Sequence, residues 1–197
     1  MRLLVIFCHP VPDSFGAALR DRVVDSARAA GHDVRLKDLY AEGFDPVMSA
    51  AERIGYHDAG TNEIPVAKEL EALRWAEGLI FVHPTWWYAQ PAMLKGWLDR
   101  VLIPHVAFTM PTEDTPIGPG LTHIRLVAQI TTLGSPWWLW TLMGRPGRDI
   151  LMRGLAACCA PRCKTIFMGL HKMDTASASD RTTFLTRVAK RVARIPL

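Results

Sequence analysis

The sequence predicts an α/β fold built on a doubly wound parallel sheet, and three features carry that expectation. Short apolar runs recur at residues 3–7, 34–36, 79–82, 124–130 and 165–168, each of a length suited to a buried strand. Stretches with helical apolar spacing lie between them, so strands and helices alternate along the chain. Loops built from His, Ser, Thr, Gly and Pro follow three of the runs, at the end of an open sheet where ligands bind. A chain of 197 residues is long enough for one domain over residues 1–197 with a continuous core.

Taken in order, residues 3–7 read as a central strand that stops at Cys8-His9-Pro10. A helix over 15–30 follows from Leu19, Val23 and Ala27 at i, i+4 and i+8, with Gly31 as its stop. Residues 34–36 give a second strand. Residues 41–63 are polar, hold Pro46 and Gly60, and are expected to form a long irregular excursion. A helix over 66–76 leads into the strand at 79–82. After the loop His83–Gln90, Met93, Leu94, Trp97, Leu98, Val101 and Leu102 fall on one helix face, and Pro91 suits the first turn, where its missing N–H costs nothing. The fourth strand, 124–130, ends in Thr131-Thr132-Leu133-Gly134-Ser135. A helix over 149–157, the fifth strand and a helix over 180–193 complete the chain. Connections between parallel strands are right-handed by rule.

Composition removes several classes of function. The net charge of +4 is mild and its basic residues are spread out. Only Arg187, Lys190, Arg191 and Arg194 gather, on what reads as the solvated face of the last helix, so nucleic acid is not an expected partner. No apolar run approaches 18 residues, so no membrane insertion is expected, and residues 2–7 are too short for a secretory signal. Cys8, Cys158, Cys159 and Cys163 form no Cys-x-x-Cys and meet no His pair at zinc spacing. No metal site is expected, the thiols are expected reduced, and a cytoplasmic location follows.

Three loops carry chemistry. Cys8–Gly16 joins the first strand to the first helix, whose start offers free N–H groups and a partial positive charge suited to phosphate. Ser14 is the natural N-cap and His9 an added donor. The loop is neither Walker A nor GxGxxG, which argues against ATP or a classical Rossmann dinucleotide there. The second loop holds Trp86, Trp87 and Tyr88 between Pro84 and Pro91, a fixed aromatic segment suited to stacking on a flat conjugated ligand. The third, Thr131–Ser135, offers hydroxyl and amide donors to the edge of such a ring. Each loop also has a plain structural reading as capping, packing or turn.

The wider string Pro84-x-x-Trp87-Tyr88-x-x-Pro91-Ala92-x-Leu94-Lys95-Gly96-Trp97-x-Asp99-Arg100-Val101 resembles the flavin-binding signature of the NAD(P)H:quinone oxidoreductase family of flavodoxin-like proteins. The resemblance covers about residues 1–170. It implies five parallel strands in the order 2-1-3-4-5 with helices on both faces. It places the cofactor phosphate at His9, Ser14, Phe15, Gly16 and Ala17, and the flavin ring at Pro84, Thr85, Trp86, Trp87, Tyr88, Thr131, Thr132 and Gly134. The cofactor is expected to be FMN, with FAD as the alternative, and NAD(P)H the co-substrate. A homodimer is implied, with Phe108 and Met110 of one subunit reaching the other's site.

One departure stands out. The family's animal-type members carry a Tyr and a His beyond the third loop, whereas Trp137–Arg145 here contains neither. Arg145 falls near the expected His, and a permanent cation can stabilise negative charge without shuttling a proton. Tyr88 and Arg145 are therefore the candidate catalytic residues. Two functional readings follow: an NAD(P)H-dependent flavoenzyme acting on quinones or similar acceptors, or a regulatory or electron-carrier flavoprotein of the same fold, such as an accessory subunit of an ion-efflux system.

Overall fold

The computed structural model describes residues 1–197. Strand β1 (Arg2–Phe7) runs through the middle of the chain's main sheet, paired in parallel with β2 (Asp33–Asp38) on one side and β3 (Gly78–Pro84) on the other. Beyond β3 lie β6 (Leu126–Thr132) and β7 (Lys164–Leu170), so the order is β2-β1-β3-β6-β7, all parallel. This is the flavodoxin-like order expected from the sequence. Two short strands, β4 (Phe108–Thr109) and β5 (Gly118–Pro119), form a separate antiparallel pair that the sequence did not announce.

The period-two alternation of β1 divides the core. Leu3, Val5 and Phe7 face α1 (Phe15–Ala29) and α7 (Ala178–Val192), packing among Leu19, Val23, Phe184 and Val188. Leu4 and Ile6 face the other layer, with Leu70 and Leu73 of α3 (Ala67–Trp75) and Trp97 and Val101 of α4 (Ala92–Val101). Each such buried side chain contributes roughly 1.5–3 kcal/mol of transfer free energy, which makes the helical spacing binding on both faces.

The helix starts show how local sequence sets the elements. Ser14 caps α1 by accepting from the Ala17 amide at 3.1 Å, and Gly31 follows the helix at φ +84°, a conformation glycine adopts without strain. Pro91 precedes α4 as its N-cap rather than occupying the first turn. Residues 41–63 are more ordered than expected. They contain α2 (Ala50–Ile54), held by a reciprocal capping box between Ser49 and Glu52, and lead into a 3₁₀ segment, Thr61–Val66. Arg100 of α4 anchors this excursion through two hydrogen bonds to Glu52, at 2.8 and 2.6 Å. The Pro46 backbone lies directly against Gly96, where no Cβ fits.

Two helices depart from expectation. The tryptophan-rich segment forms α5 (Trp137–Leu142). The helix expected over 149–157 begins earlier as α6 (Pro146–Asp149) and continues as a π-helical stretch, Ile150–Leu155. No helix is long and apolar enough to cross a membrane.

Candidate active site

The carboxyl ends of β1, β3 and β6 surround a cleft of about 430 Å³. Most of its walls come from the three loops singled out in the sequence: His9, Ser14, Phe15 and Gly16; Pro84, Thr85 and Trp86; Thr132 and Gly134. A second hollow of about 300 Å³ shares Thr85 and Gly134 with the first and adds Trp87, Tyr88, Leu133 and Ser135. The two together make one groove across the strand ends.

At the first loop, helix capping uses only part of the donor set. Ser14 Oγ takes the Ala17 amide and the Ser14 carbonyl takes the Ala18 amide at 3.2 Å. The Ala17 amide is thus engaged in the cap. The amides of Phe15 and Gly16 open the helix and have no intrahelical acceptor. His9 Nδ1 lies 3.0 Å from the Val11 amide and 3.2 Å from the Val11 carbonyl, which fixes the ring beside the loop backbone. The ring edge overhangs the first turn, since a Cβ on Gly16 would meet His9 Cδ2 at 3.2 Å. Two amides, the Ser14 hydroxyl and the His9 ring therefore gather at the positive end of α1.

At the second loop, Trp86 and Ala89 exchange backbone hydrogen bonds, at 3.1 and 3.0 Å. Trp87 and Tyr88 between them have φ of +48° and +62°, the pattern of a type I′ hairpin turn. Two bulky residues in a conformation normally left to Gly and Asn cost on the order of 1–3 kcal/mol each. The Trp87 side chain gains nothing within the chain in return, being 94% exposed. Its structural reading as a core aromatic fails. The turn is held from outside: Tyr88's carbonyl accepts from the Gly147 amide at 3.0 Å, and Gln90 Nε2 donates to the Gly147 carbonyl at 2.6 Å.

The third loop begins later than its sequence suggests, because Thr131 and Thr132 still belong to β6, paired with His83 and Pro84 of β3. Alternation sends the two threonines to opposite faces. Thr132 lines the cleft, while Thr131 is fully buried and bonds Thr85 Oγ1 at 2.8 Å. Thr131 is a joint between loops and not a wall of the cleft, which corrects its expected place at the ligand.

Behind the joint lies His83, fully buried, with Nδ1 on the Pro84 carbonyl at 2.9 Å and Nε2 facing Gln129 Nε2 at 3.1 Å. A carbonyl only accepts, so Nδ1 carries the proton and Nε2 accepts from Gln129. Burial pushes its pKa down to about 4, and the ring is neutral. Cys8, at the end of β1, is buried, and burial pushes its thiol up to about 12, which removes thiolate chemistry from this end of the sheet.

Arg145 sits at the left-handed start of α6, exposed and outside both hollows. Its segment nevertheless matters through Gly147, where a Cβ would come within 2.8 Å of the Tyr88 carbonyl oxygen. Phe108 packs partly against the core and Met110 is half-buried beyond β4; neither lines the two hollows of the groove. Sequence reasoning passed over the loop after β7. Met173 and Asp174 line the cleft, Asp174 lying over Gly134, and His171 packs edge-on to Trp140 while meeting the Ser135 carbonyl at 3.2 Å. The signal was available, since that loop leaves the same sheet edge as the other three.

The family model described as Flavodoxin-like fold matches residues 1–161. The chain belongs to the flavodoxin-like family. Among curated relatives of this flavodoxin-like chain, an uncharacterized NAD(P)H oxidoreductase from Haemophilus influenzae is 33% identical over 138 residues, 68% of this chain and 65% of that protein. The human ribosyldihydronicotinamide dehydrogenase [quinone] is 32% identical over 162 residues, 74% of this chain and 69% of its own. The alignments span from 43% to 69% of the first such relatives' own lengths. An NAD(P)H:quinone oxidoreductase structure from Methanothermobacter marburgensis superposes with a TM-score of 0.81 at 23% identity, over 98% of this chain and 96% of that one, a likeness of fold.

Proposed function

We propose that this chain binds a flavin in the groove and moves hydride from NAD(P)H to a quinone or a similar electron-poor acceptor. The observation that carries the reading is the convergence of three unlike loops on one groove: donors at the start of α1, a strained and exposed tryptophan turn, and Thr132 with Gly134 opposite. Their chemistry fits a flavin. The Phe15 and Gly16 amides, Ser14 and His9 suit a phosphate, Trp86 and Trp87 suit the face of a fused ring, and backbone donors around Gly134 suit its polar edge. One helix start serves one phosphate, which favours FMN over FAD.

A flavin held there would supply hydride-transfer chemistry. The chain's own part is to hold, orient and shield. Its turn at Trp87–Tyr88 sets a rigid aromatic wall, and backbone donors near Thr132–Ser135 are worth most when negative charge grows on the ring edge they face. Similarity to an NAD(P)H oxidoreductase and to a ribosyldihydronicotinamide dehydrogenase [quinone] supports this reading.

The exposed apolar side chains of Trp87, Trp137, Trp138, Leu142 and Met143 favour pairing of two copies, each bringing Phe108 and Met110 to the other's site. Four free cysteines accord with a cytoplasmic setting. The test is direct. Purified protein should be yellow, release FMN on heating, and consume NADPH with menadione far faster than free flavin does. Colourless protein that ignores added flavin would overturn the reading.

A further inference from the structure

At the opposite end of the sheet from the groove, Cys159-Ala160-Pro161-Arg162-Cys163 links the π-helical stretch to β7. The Cys163 amide donates to the Ala160 carbonyl at 2.9 Å, Pro161 holds the second position and Arg162 the third at φ +63°, a type II turn. Both flanks of this turn are pinned to one neighbouring segment: Ala160 donates to Ile124 at 3.0 Å and Lys164 to Arg125 at 2.9 Å. The turn therefore carries Cys159 and Cys163 at its two ends, with Cys159 in one core cluster and Cys163 packed against that same cluster.

The two thiols differ in ways that suit two different roles. Cys159 is 3% exposed, with Sγ 3.3 Å from the Leu155 carbonyl. Cys163 is half-buried and opens on a hollow of about 260 Å³ bordered by Arg125, Arg162 and Lys164. Its pKa is drawn down by the Cys159 thiol and then by a backbone bond from Val127, while that of Cys159 is driven up by the same partner and by burial. An accessible thiol in cationic surroundings, backed by a buried one, is the arrangement of an attacking and a resolving cysteine.

We propose that Cys159 and Cys163 form a reversible intrachain disulfide on exposure to hydrogen peroxide. The Cys163 thiolate attacks one peroxide oxygen, the O–O bond breaks, and the departing hydroxide leaves as water with the proton Cys163 released. Cys163 is then a sulfenic acid. Cys159 Sγ attacks that sulfur, the S–O bond breaks, and hydroxide leaves with the Cys159 proton as a second water. Two thiols and one peroxide thus yield one disulfide and two waters, and a dithiol reverses the change by returning two electrons. The resolving step stops Cys163 short of irreversible sulfinic acid. This site stands independently of the flavin reading.

The test is to treat the purified protein with one equivalent of hydrogen peroxide, block free thiols with N-ethylmaleimide in denaturant, so that the buried Cys8 is reached, and weigh it. Two of the four thiols should escape alkylation and the protein should lose two hydrogens. Trypsin cuts after Arg153, Arg162 and Lys164, so Cys163-Lys164 should remain attached to the peptide from 154 to 162 until dithiothreitol is added. Cys158→Ser should keep that link and Cys159→Ser should abolish it. In Cys159→Ser, excess peroxide should add two oxygens to Cys163. A link that survives Cys159→Ser, a disulfide between two chains, or four thiols alkylated in full after peroxide would each overturn the proposal.

Discussion

The Thr85 amide donates to the Thr132 carbonyl at 2.7 Å, one step beyond the last register pair of β3 and β6, Pro84 with Thr132. The sheet's hydrogen bonding therefore continues into two of the loops that form the groove, and the Thr85–Thr131 hydroxyl bond at 2.8 Å locks it from below. The loops are placed by the sheet's core rather than by a ligand.

Replacing Thr131 with Val keeps the buried shape and removes that lock. Urea denaturation of Thr131→Val should show a loss of about 1 kcal/mol, the ordinary worth of one hydrogen bond. Flavin affinity should fall with it, because Thr85 loses its tether. An unchanged affinity would separate the joint from the site.

Gly147→Ala is expected to act on the groove from a distance. The added methyl would meet the Tyr88 carbonyl oxygen at 2.8 Å and Ala89 Cα at 2.9 Å, both backbone atoms that cannot swing away. Relieving that overlap costs about 1–3 kcal/mol and displaces the aromatic turn. Isothermal titration should record flavin binding weakened at least ten-fold, with the circular dichroism spectrum preserved.

Trp87→Gly should move stability and binding in opposite directions. Glycine adopts the φ of +48° without the strain Trp87 bears, and almost none of the indole is buried in the chain. The melting temperature should hold or rise, while the loss of a stacking ring weakens flavin binding by on the order of 1 kcal/mol. A fall in melting temperature with unchanged binding would assign Trp87 to the fold.

His83 gives the protein a pH dependence whose sign follows from its burial. Its pKa of about 4 lies below the ordinary 6.5, so between those values the unfolded chain takes up a proton that the native state refuses. The stability His83 contributes is complete above pH 6.5 and is lost as pH falls toward 4, by about 3 kcal/mol in all. The difference in denaturation free energy between wild type and His83→Gln should shrink over that window. A constant difference would refute the assignment.

Much of this was legible in the chain itself. The five parallel strands follow from apolar runs, and the helix limits from Ser14, Gly31 and Pro91, because capping and φ are local properties. The Ser49–Glu52 capping box was equally local and was hidden only by the polar composition around it. What local pattern does not contain is orientation. That Thr131 turns inward, that Gly147 abuts Tyr88, and that His171 reaches Ser135 depend on register and on chain segments brought together by packing. The α5 helix was obscured for a similar reason: its tryptophans show no polar face, as Trp140 packs against Phe167 while Trp137 and Trp138 stand exposed.

The central claim is that the start of α1 holds a phosphate and the aromatic turn holds a flavin ring, so the decisive measurement is a pair of fluorescence titrations of the cofactor-free protein with FMN and with riboflavin. FMN should saturate at one per chain, and riboflavin, which lacks the phosphate, should bind at least ten-fold more weakly because the Phe15 and Gly16 amides, Ser14 and His9 have nothing to grip. Equal affinities for the two, or no binding of either, would contradict the account.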